Sequence, residues 1–391
     1  MEPIQHDKLK ELAMANGGPC VSIYMPLRWA PDERDKNRIR LKNMINAAQD
    51  NLEKEFKLGT SEAEKLLAPA AALIEGGRFK GIGGDGLALF LSNTVEEQIS
   101  APLEFEEMLR IANQFHLQPL LKLFDTGNQY YLLALSQGSI RLFKGDRFQL
   151  KPLMLGDDVP ESLESALFED DPEKRLQWHS STGSDGTPGD RPASFHGHGV
   201  TNKEEDKDQI LRYFNKVDDG IMQIIAGDEL PMLLAGVEYL LPIYRKASSY
   251  PHLVDEELRG NVEHLTAEEL YQQAWQQMSL RHDQWRQKQL DEYAELEDSA
   301  LATDSLEKIV PAASYGQVKT LFVAESRSRW GRFDKESGEV TTGDMTSADS
   351  IDLVNYAAVQ TVLNGGQILI MEEGTMPTGK PAAALLRYSS S

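Results

Sequence analysis

His196 and His198, with one residue between them, are the side chains whose type and spacing best suit chemistry in this chain. Histidine titrates near neutral pH and can both donate and accept a proton. Such a pair can serve as acid and base in hydrolysis of an ester or phosphodiester. On extended backbone alternate residues project to one side, so both imidazoles can face one ligand. Gly197 and Gly199 flank them, with Phe195 just before, and glycine lets the backbone approach RNA or an ester closely. The competing reading is that both are ordinary solvent-exposed loop residues. A zinc site would need further ligands from His179, Asp185 or Asp190. No spacing fixes that set, so no metal is assigned. No Gly-x-Ser-x-Gly elbow is present, and the single cysteine, Cys20, falls in a strand pattern and reads as a small core residue. Gly81, Gly83, Gly84 and Gly86 precede a strand instead of opening a helix after one, and no Lys-Ser/Thr pair follows. A nucleotide loop is excluded, and no cofactor is expected.

The histidines lie within Trp178–Val200, a stretch of glycine, serine, threonine and proline with almost nothing to bury. Such a stretch cannot offset the entropy of being ordered, which predicts a long mobile loop over 178–205. Before it, QYYLLALSQGSIRLFKGDRFQL reads as two strands around a Gln-Gly-Ser turn, and an acidic helix is expected over Glu161–Phe168. After it come a helix from near Glu205 to Ile225 and a buried strand over Met232–Leu240. A long helix opens at Thr266, with Glu269 completing a capping box.

Toward the N-terminus, Asp7–Ala15 reads as a short helix and Pro19–Pro26 as a strand closed by proline. A basic helix over Asp35–Phe56 shows Ile39, Ile45, Leu52 and Phe56 as its apolar face. A helix over Ser61–Ile74 carries a capping box at Ser61 and Glu64, and GLALFLS reads as a buried strand. Toward the C-terminus the order is helix SLEKIVPAAS, strand QVKTLFVAE, a helix stopped by Gly365 and Gly366, strand QILIME and a closing strand AAALLRY. The fold class is α/β in three domains: 1–126, 127–302 and 303–391.

Net charge is −22, from 40 Lys and Arg against 62 Asp and Glu. Bulk electrostatics therefore argue against DNA and against non-specific nucleic-acid binding. Two local stretches run the other way. Arg28–Lys42 holds six Lys and Arg against three acids, and Glu325–Arg332 holds three arginines beside Trp330. The RNA-contact candidates are Arg34, Arg38 and Lys42 in the first and Arg327 and Arg329 in the second. No run of about 18 apolar residues predicts a membrane span. The opening residues are charged and amphipathic, unlike a signal peptide. A cytoplasmic protein without membrane contact is expected.

Several segments together resemble the class I peptide-chain release factors of archaea and eukaryotes and the related rescue factor Pelota. VSIYMP, DGLALFLS and NQFHLQPLLKLF resemble that family's VSLYIP, NGLVIF and FHTEALKEL segments. RYFNKVDD and LLAGVE are similar to the helix and strand that follow its catalytic loop, and YGQVKTLFVA, NGGQILI and AAALLRY to its third domain. A bacterial-type offshoot of the family fits best. The resemblance implies an N-terminal release-factor-like domain, an RNase H-like middle domain and an α/β/α sandwich C-terminal domain. It also implies the ribosome and its RNA, or a translation-related protein, as partner, and leaves the oligomeric state open.

Two departures bear on activity. The family's Gly-Gly-Gln loop would fall near Phe195, His196 and Gly197, where the glutamine is absent. Gly365-Gly366-Gln367 spells the triplet only at a helix-to-strand turn. No Asn-Ile-Lys-Ser follows the first helix, and the Tyr-x-Cys-x-x-x-Phe element becomes Leu109, Ile111 and Phe115, so stop-codon reading is not expected. Three readings stand: a release-factor-like ribosome-associated protein acting in rescue or hibernation, a hydrolase using the loop histidines, or a protein-interaction module on the same scaffold.

Overall fold

The computed structural model describes residues 6–15, 18–30, 34–75, 83–124, 126–156, 159–160, 162–163, 166, 203–343 and 350–388. Two compact units result, one from residues 1–127 together with 283–391, the other from 128–282. The N-terminal stretch of the first unit runs α1 (His6–Met14), β1 (Cys20–Pro26), α2 (Arg34–Lys54), α3 (Thr60–Glu75), β2 (Gly86–Leu91), β3 (Glu96–Ala101) and β4 (Met108–Ala112). Its sheet has the order β3-β2-β1-β4 and is antiparallel throughout. Strand β1 is buried at every residue, because both faces of the sheet are covered. Val21, Ile23 and Met25 face α2 and α3. On the other face Tyr24 meets Phe90 and Phe105 edge-on at 5.7 and 5.1 Å, and Phe90 meets Phe115 at 5.3 Å.

Helix α2 buries most of the face read in its sequence, since Ile45, Leu52 and Phe56 pack on the core. Leu41, Met44, Ala48 and Leu52 enter the core, whereas Ile39 is 60% exposed. Asn37, near the start of the helix, is 1% exposed. Its amide donates to the Arg28 carbonyl at 2.9 Å and accepts the Arg28 N–H at 3.3 Å, fixing the first turn against the end of β1. Helix α3 also starts one residue early. The Gly59 N–H donates to Glu62, and the Ser61–Glu64 box does not form.

The second unit runs β5 (Tyr130–Leu135), β6 (Ile140–Gly145), β7 (Leu150–Leu153), α4 (Lys203–Ile224), β8 (Met232–Gly236), α5 (Leu241–Ala247), β9 (Leu253–Arg259) and the first part of α6 (Ala267–Leu296). The acidic helix expected over Glu161–Phe168 lies mostly outside the described residues. The sheet order is β7-β6-β5-β8-β9, with β5, β6 and β7 antiparallel and β8 and β9 running parallel to β5. Counted within the unit this is 3-2-1-4-5, the RNase H-like order. Tyr131, Leu133 and Leu135 pack on α4 and α5, and Tyr130, Leu132 and Ala134 pack beneath α6, as the two-residue period of a strand requires. Thr266 and Glu269 form the expected capping box: the Thr266 N–H donates to Glu269 at 2.8 Å, and the Glu269 N–H donates to the Thr266 hydroxyl at 3.3 Å.

The C-terminal stretch of the first unit holds β10 (Ala302–Thr303), α7 (Leu306–Ser314), β11 (Val318–Ala324), β12 (Trp330–Phe333), β13 (Val340–Thr342), β14 (Ile351–Asp352), α8 (Leu353–Leu363), β15 (Gln367–Met371) and β16 (Ala382–Leu386). Four of these strands form a sheet in the order β10-β16-β11-β15, and β13-β12-β14 form a smaller one. Phe322, Leu369 and Leu385 face Tyr293, Leu290 and Trp285 of α6, while α7 and α8 cover the opposite face. That is the expected α/β/α sandwich.

One polar side chain ties the two stretches of this unit together. Asn355, 5% exposed on α8, accepts the backbone N–H groups of Leu117 and Gln118 at 2.7 and 2.9 Å and donates to the Phe115 carbonyl at 3.1 Å. Gln118 donates in turn to the carbonyls of Ala324 and Glu325 at the end of β11.

Candidate functional site

The basic stripe of α2 lies on its outward side. With Asn37 turned inward, Arg38 and Lys42, one helical turn apart, face out. Among the described residues neither forms an ion pair. Arg34 stands one turn earlier on the same line, and its side chain is outside the described residues. The neighbouring cations are already engaged: Arg28 pairs with Glu104 and Arg40 with Glu107. Arg38 and Lys42, with Ile39 exposed between them, therefore make the positive edge of an otherwise acidic protein.

Arg327 and Arg329 lie on the connection from β11 to β12, on a different sheet. Arg327 pairs with Glu373 and donates to the Gly379 carbonyl at 2.7 Å, so its charge is spent holding a turn. Arg329 lines an open groove of about 460 Å³ with Lys380, Ser305 and Glu307. The Ser305 hydroxyl donates to Glu307 at 2.6 Å, and this bond, then the charges of Arg329 and Lys380, hold the Glu307 carboxyl below its usual range. Of the two basic patches, α2 keeps more of its charge for an outside partner.

His196, His198, Phe195, Gly197 and Gly199 lie outside the described residues, as do His179, Asp185 and Asp190. The Gly365-Gly366-Gln367 triplet is structural. Gly365 has φ +69°, its N–H donates to the Val362 carbonyl at 3.1 Å, and the Gly366 N–H donates to Thr361 at 2.8 Å. These two bonds are the Schellman stop of α8. A Cβ at Gly366 would meet Thr361 Cγ2 at 2.7 Å and the Val318 carbonyl at 2.8 Å. Leu109 and Ile111 pack into the core beneath α2, and Phe115 is 2% exposed. All three are core side chains. Burial pushes the Cys20 thiol up to about 11, which disfavours the thiolate a nucleophile requires.

The middle unit holds a buried carboxylate in α4. Asp218, 2% exposed, accepts the hydroxyls of Tyr244, Ser248 and Ser249 and the Ser249 N–H, at 2.7 to 3.1 Å. All of these bonds lock α4 onto the end of α5, leaving Asp218 a structural part. Among the described residues no group of three or more His, Cys, Asp or Glu is arranged to hold a metal ion. No described helix is long and apolar enough to cross a membrane.

Residues 130–279 match the family model described as bacterial archaeo-eukaryotic release factor family 7. Over that stretch the chain is similar to this release-factor-like family. The matched stretch coincides with the middle unit and its 3-2-1-4-5 sheet. No curated protein matches the sequence significantly. Solved structures with similarity include an archaeal translation termination factor, aRF1, at 14% identity over 98% of this chain and 99% of that one, with a TM-score of 0.24. Another is Dom34 of S. cerevisiae, a translation termination-like factor, at 11% identity over 78% and 80%, with a TM-score of 0.35. A third is ribosome-bound archaeal Pelota, in a model with ABCE1, at 11% identity over 100% and 96%, with a TM-score of 0.36.

Proposed function

We propose that this protein is a cytoplasmic, ribosome-associated factor of release-factor-like shape, acting in translation as a rescue or hibernation factor. It neither reads stop codons nor carries the Gly-Gly-Gln loop. The observation that carries the reading is the family match over the middle unit. Exposed Arg38 and Lys42, which pair with no described residue, supply what such a role needs in an acidic chain, a local contact for ribosomal RNA phosphates. Arg34 extends that stripe, Arg329 adds a weaker contact, and Arg327 acts mainly in holding its turn. The segment Ser180–Val200, with His196 and His198, enters the tRNA site toward the peptidyl-transferase centre.

Sedimentation through sucrose tests this with the full chain, the Arg38→Glu/Lys42→Glu variant and a chain lacking 180–200. The wild type should pellet with ribosomes, and its affinity should fall between about 50 and 200 mM salt. The double variant should bind more weakly and with a salt slope shallower by about two contacts. Wild-type protein that stays at the top of the gradient at both salt concentrations ends the proposal. Ribosome binding that survives deletion of 180–200 removes the loop from the contact and leaves the α2 stripe to carry it.

A further inference from the structure

Arg110 is the cation in the first unit whose surroundings its own chain leaves incomplete. It lies on β4, opposite Ser22 of β1, on the sheet face turned away from α2 and α3. Among the described residues it forms no hydrogen bond and no ion pair, and its Nε is closed off from solvent without an acceptor. A guanidinium carries five N–H donors in a rigid fork, and an unmatched buried donor costs about as much as a lost hydrogen bond. Buried groups without partners call for an unseen water, an ion or a function.

The space in front of Arg110 is a cavity of about 200 Å³. It is roughly six water volumes, and below the 300–1,000 Å³ of sites for drug-sized ligands. Its polar lining is sorted by charge. Glu104 is taken by Arg28 and Glu325 by Lys122, while Glu106 is exposed at the rim. Both amide hydrogens of Gln118 are used on the carbonyls of Ala324 and Glu325. What remains on the lining is Arg110 and Ser326, with Phe105 and Met108 as apolar side chains, while Lys122 is held by Glu325.

We propose that this cavity binds a small oxyanion, a phosphate or a short-chain carboxylate, through the fork of Arg110, with the Ser326 hydroxyl as second donor and Phe105 and Met108 receiving any aliphatic stem. A planar bidentate group matches the guanidinium, and the volume admits one such group with a few carbons. The occupant would also bridge the N-terminal sheet and the C-terminal stretch of the unit, since Arg110 and Met108 come from one and Ser326 from the other. The site is independent of any ribosome binding.

Calorimetric and NMR titration of the full chain with inorganic phosphate and, separately, with butyrate tests it, with chloride holding the ionic strength constant. Saturable binding of either probe, weakened about tenfold or more by Arg110→Gln, is the expected result. Tighter binding of butyrate assigns an organic acid, and tighter binding of phosphate a phosphorylated ligand. Ser326→Ala and Lys122→Gln, at the edge of the cavity, should weaken binding by a smaller factor and serve if Arg110→Gln does not fold. Absence of saturable wild-type binding to both probes, or unchanged affinity in Arg110→Gln, overturns the proposal.

Discussion

Lowering the pH from 7 to 4 should take stability out of the first unit through a single residue, His116. Its imidazole is 9% exposed, and burial, followed by the nearby charge of Arg110, pushes its pKa from 6.5 down to about 4. The depressed value sets the sign. Between about 4 and 6.5 the unfolded chain binds a proton that the folded chain refuses. The stabilisation is complete above 6.5, drains away as the pH falls through that window, and levels off below it. An interval of that width corresponds to roughly 3 kcal/mol. Asp352 faces the ring, its Oδ2 lying 3.7 Å from Nδ1 without a hydrogen-bond partner. Burial raises its pKa, so above 3.8 it holds a proton more readily folded than unfolded and returns part of the loss near the acid end. His116→Asn removes the titration and keeps the backbone bonds of residue 116, whose N–H donates to Ser22 and whose carbonyl accepts from Tyr24. Amide exchange at Leu117 and Gln118, followed from pH 7.5 to 4 and corrected for intrinsic rates, reads local stability in both proteins. The wild type should lose about 2–3 kcal/mol more than the variant over that range. Parallel losses would refute the assignment, as would an NMR titration placing His116 above pH 6.

Two further substitutions test the polar centres of the fold. Asn355→Ala strips the partners from the Leu117 and Gln118 N–H groups and the Phe115 carbonyl, and should cost about 3–5 kcal/mol. Urea unfolding followed at first-unit tryptophans measures it, and Asn355→Asp should recover part of the loss, because it keeps the acceptor for both N–H groups. Asp218→Asn turns an amide NH₂ toward groups that are themselves donors, costing about 2–4 kcal/mol. Amide exchange in α4 and α5 should quicken, with Leu117 and Gln118 unaffected.

How far the sequence reveals this architecture depends on how local each cause is. Strands β1, β2 and β8 are legible because every residue is buried and the runs are short and apolar. The capping box at Thr266 is legible because both partners sit within one turn. The Ser61–Glu64 pattern has the same letters and does not form, because Gly59 opens the helix first. The apolar face of α2 is legible through Ile45, Leu52 and Phe56, whereas the exposure of Ile39 and the burial of Asn37 are not. Asn355 and Arg110 give no periodic signal at all. One is a polar residue within an apolar helix, the other a charge within a strand, and each acquires meaning only from elements distant in sequence.

The bond between Gln118 and Asn355 spans 237 residues, and the whole middle unit is encoded between its ends. Order of synthesis therefore becomes order of assembly. At about 5–20 residues per second, the Leu117 and Gln118 amides wait roughly 10–50 s after emerging before their acceptor is made. The contiguous middle unit is complete well before then, so it can fold while the turn at Leu117 and Gln118 still lacks its acceptor. A chain truncated between residues 282 and 355 should keep an intact middle unit and carry an N-terminal sheet whose last turn is unbound, the form most open to proteases and chaperones.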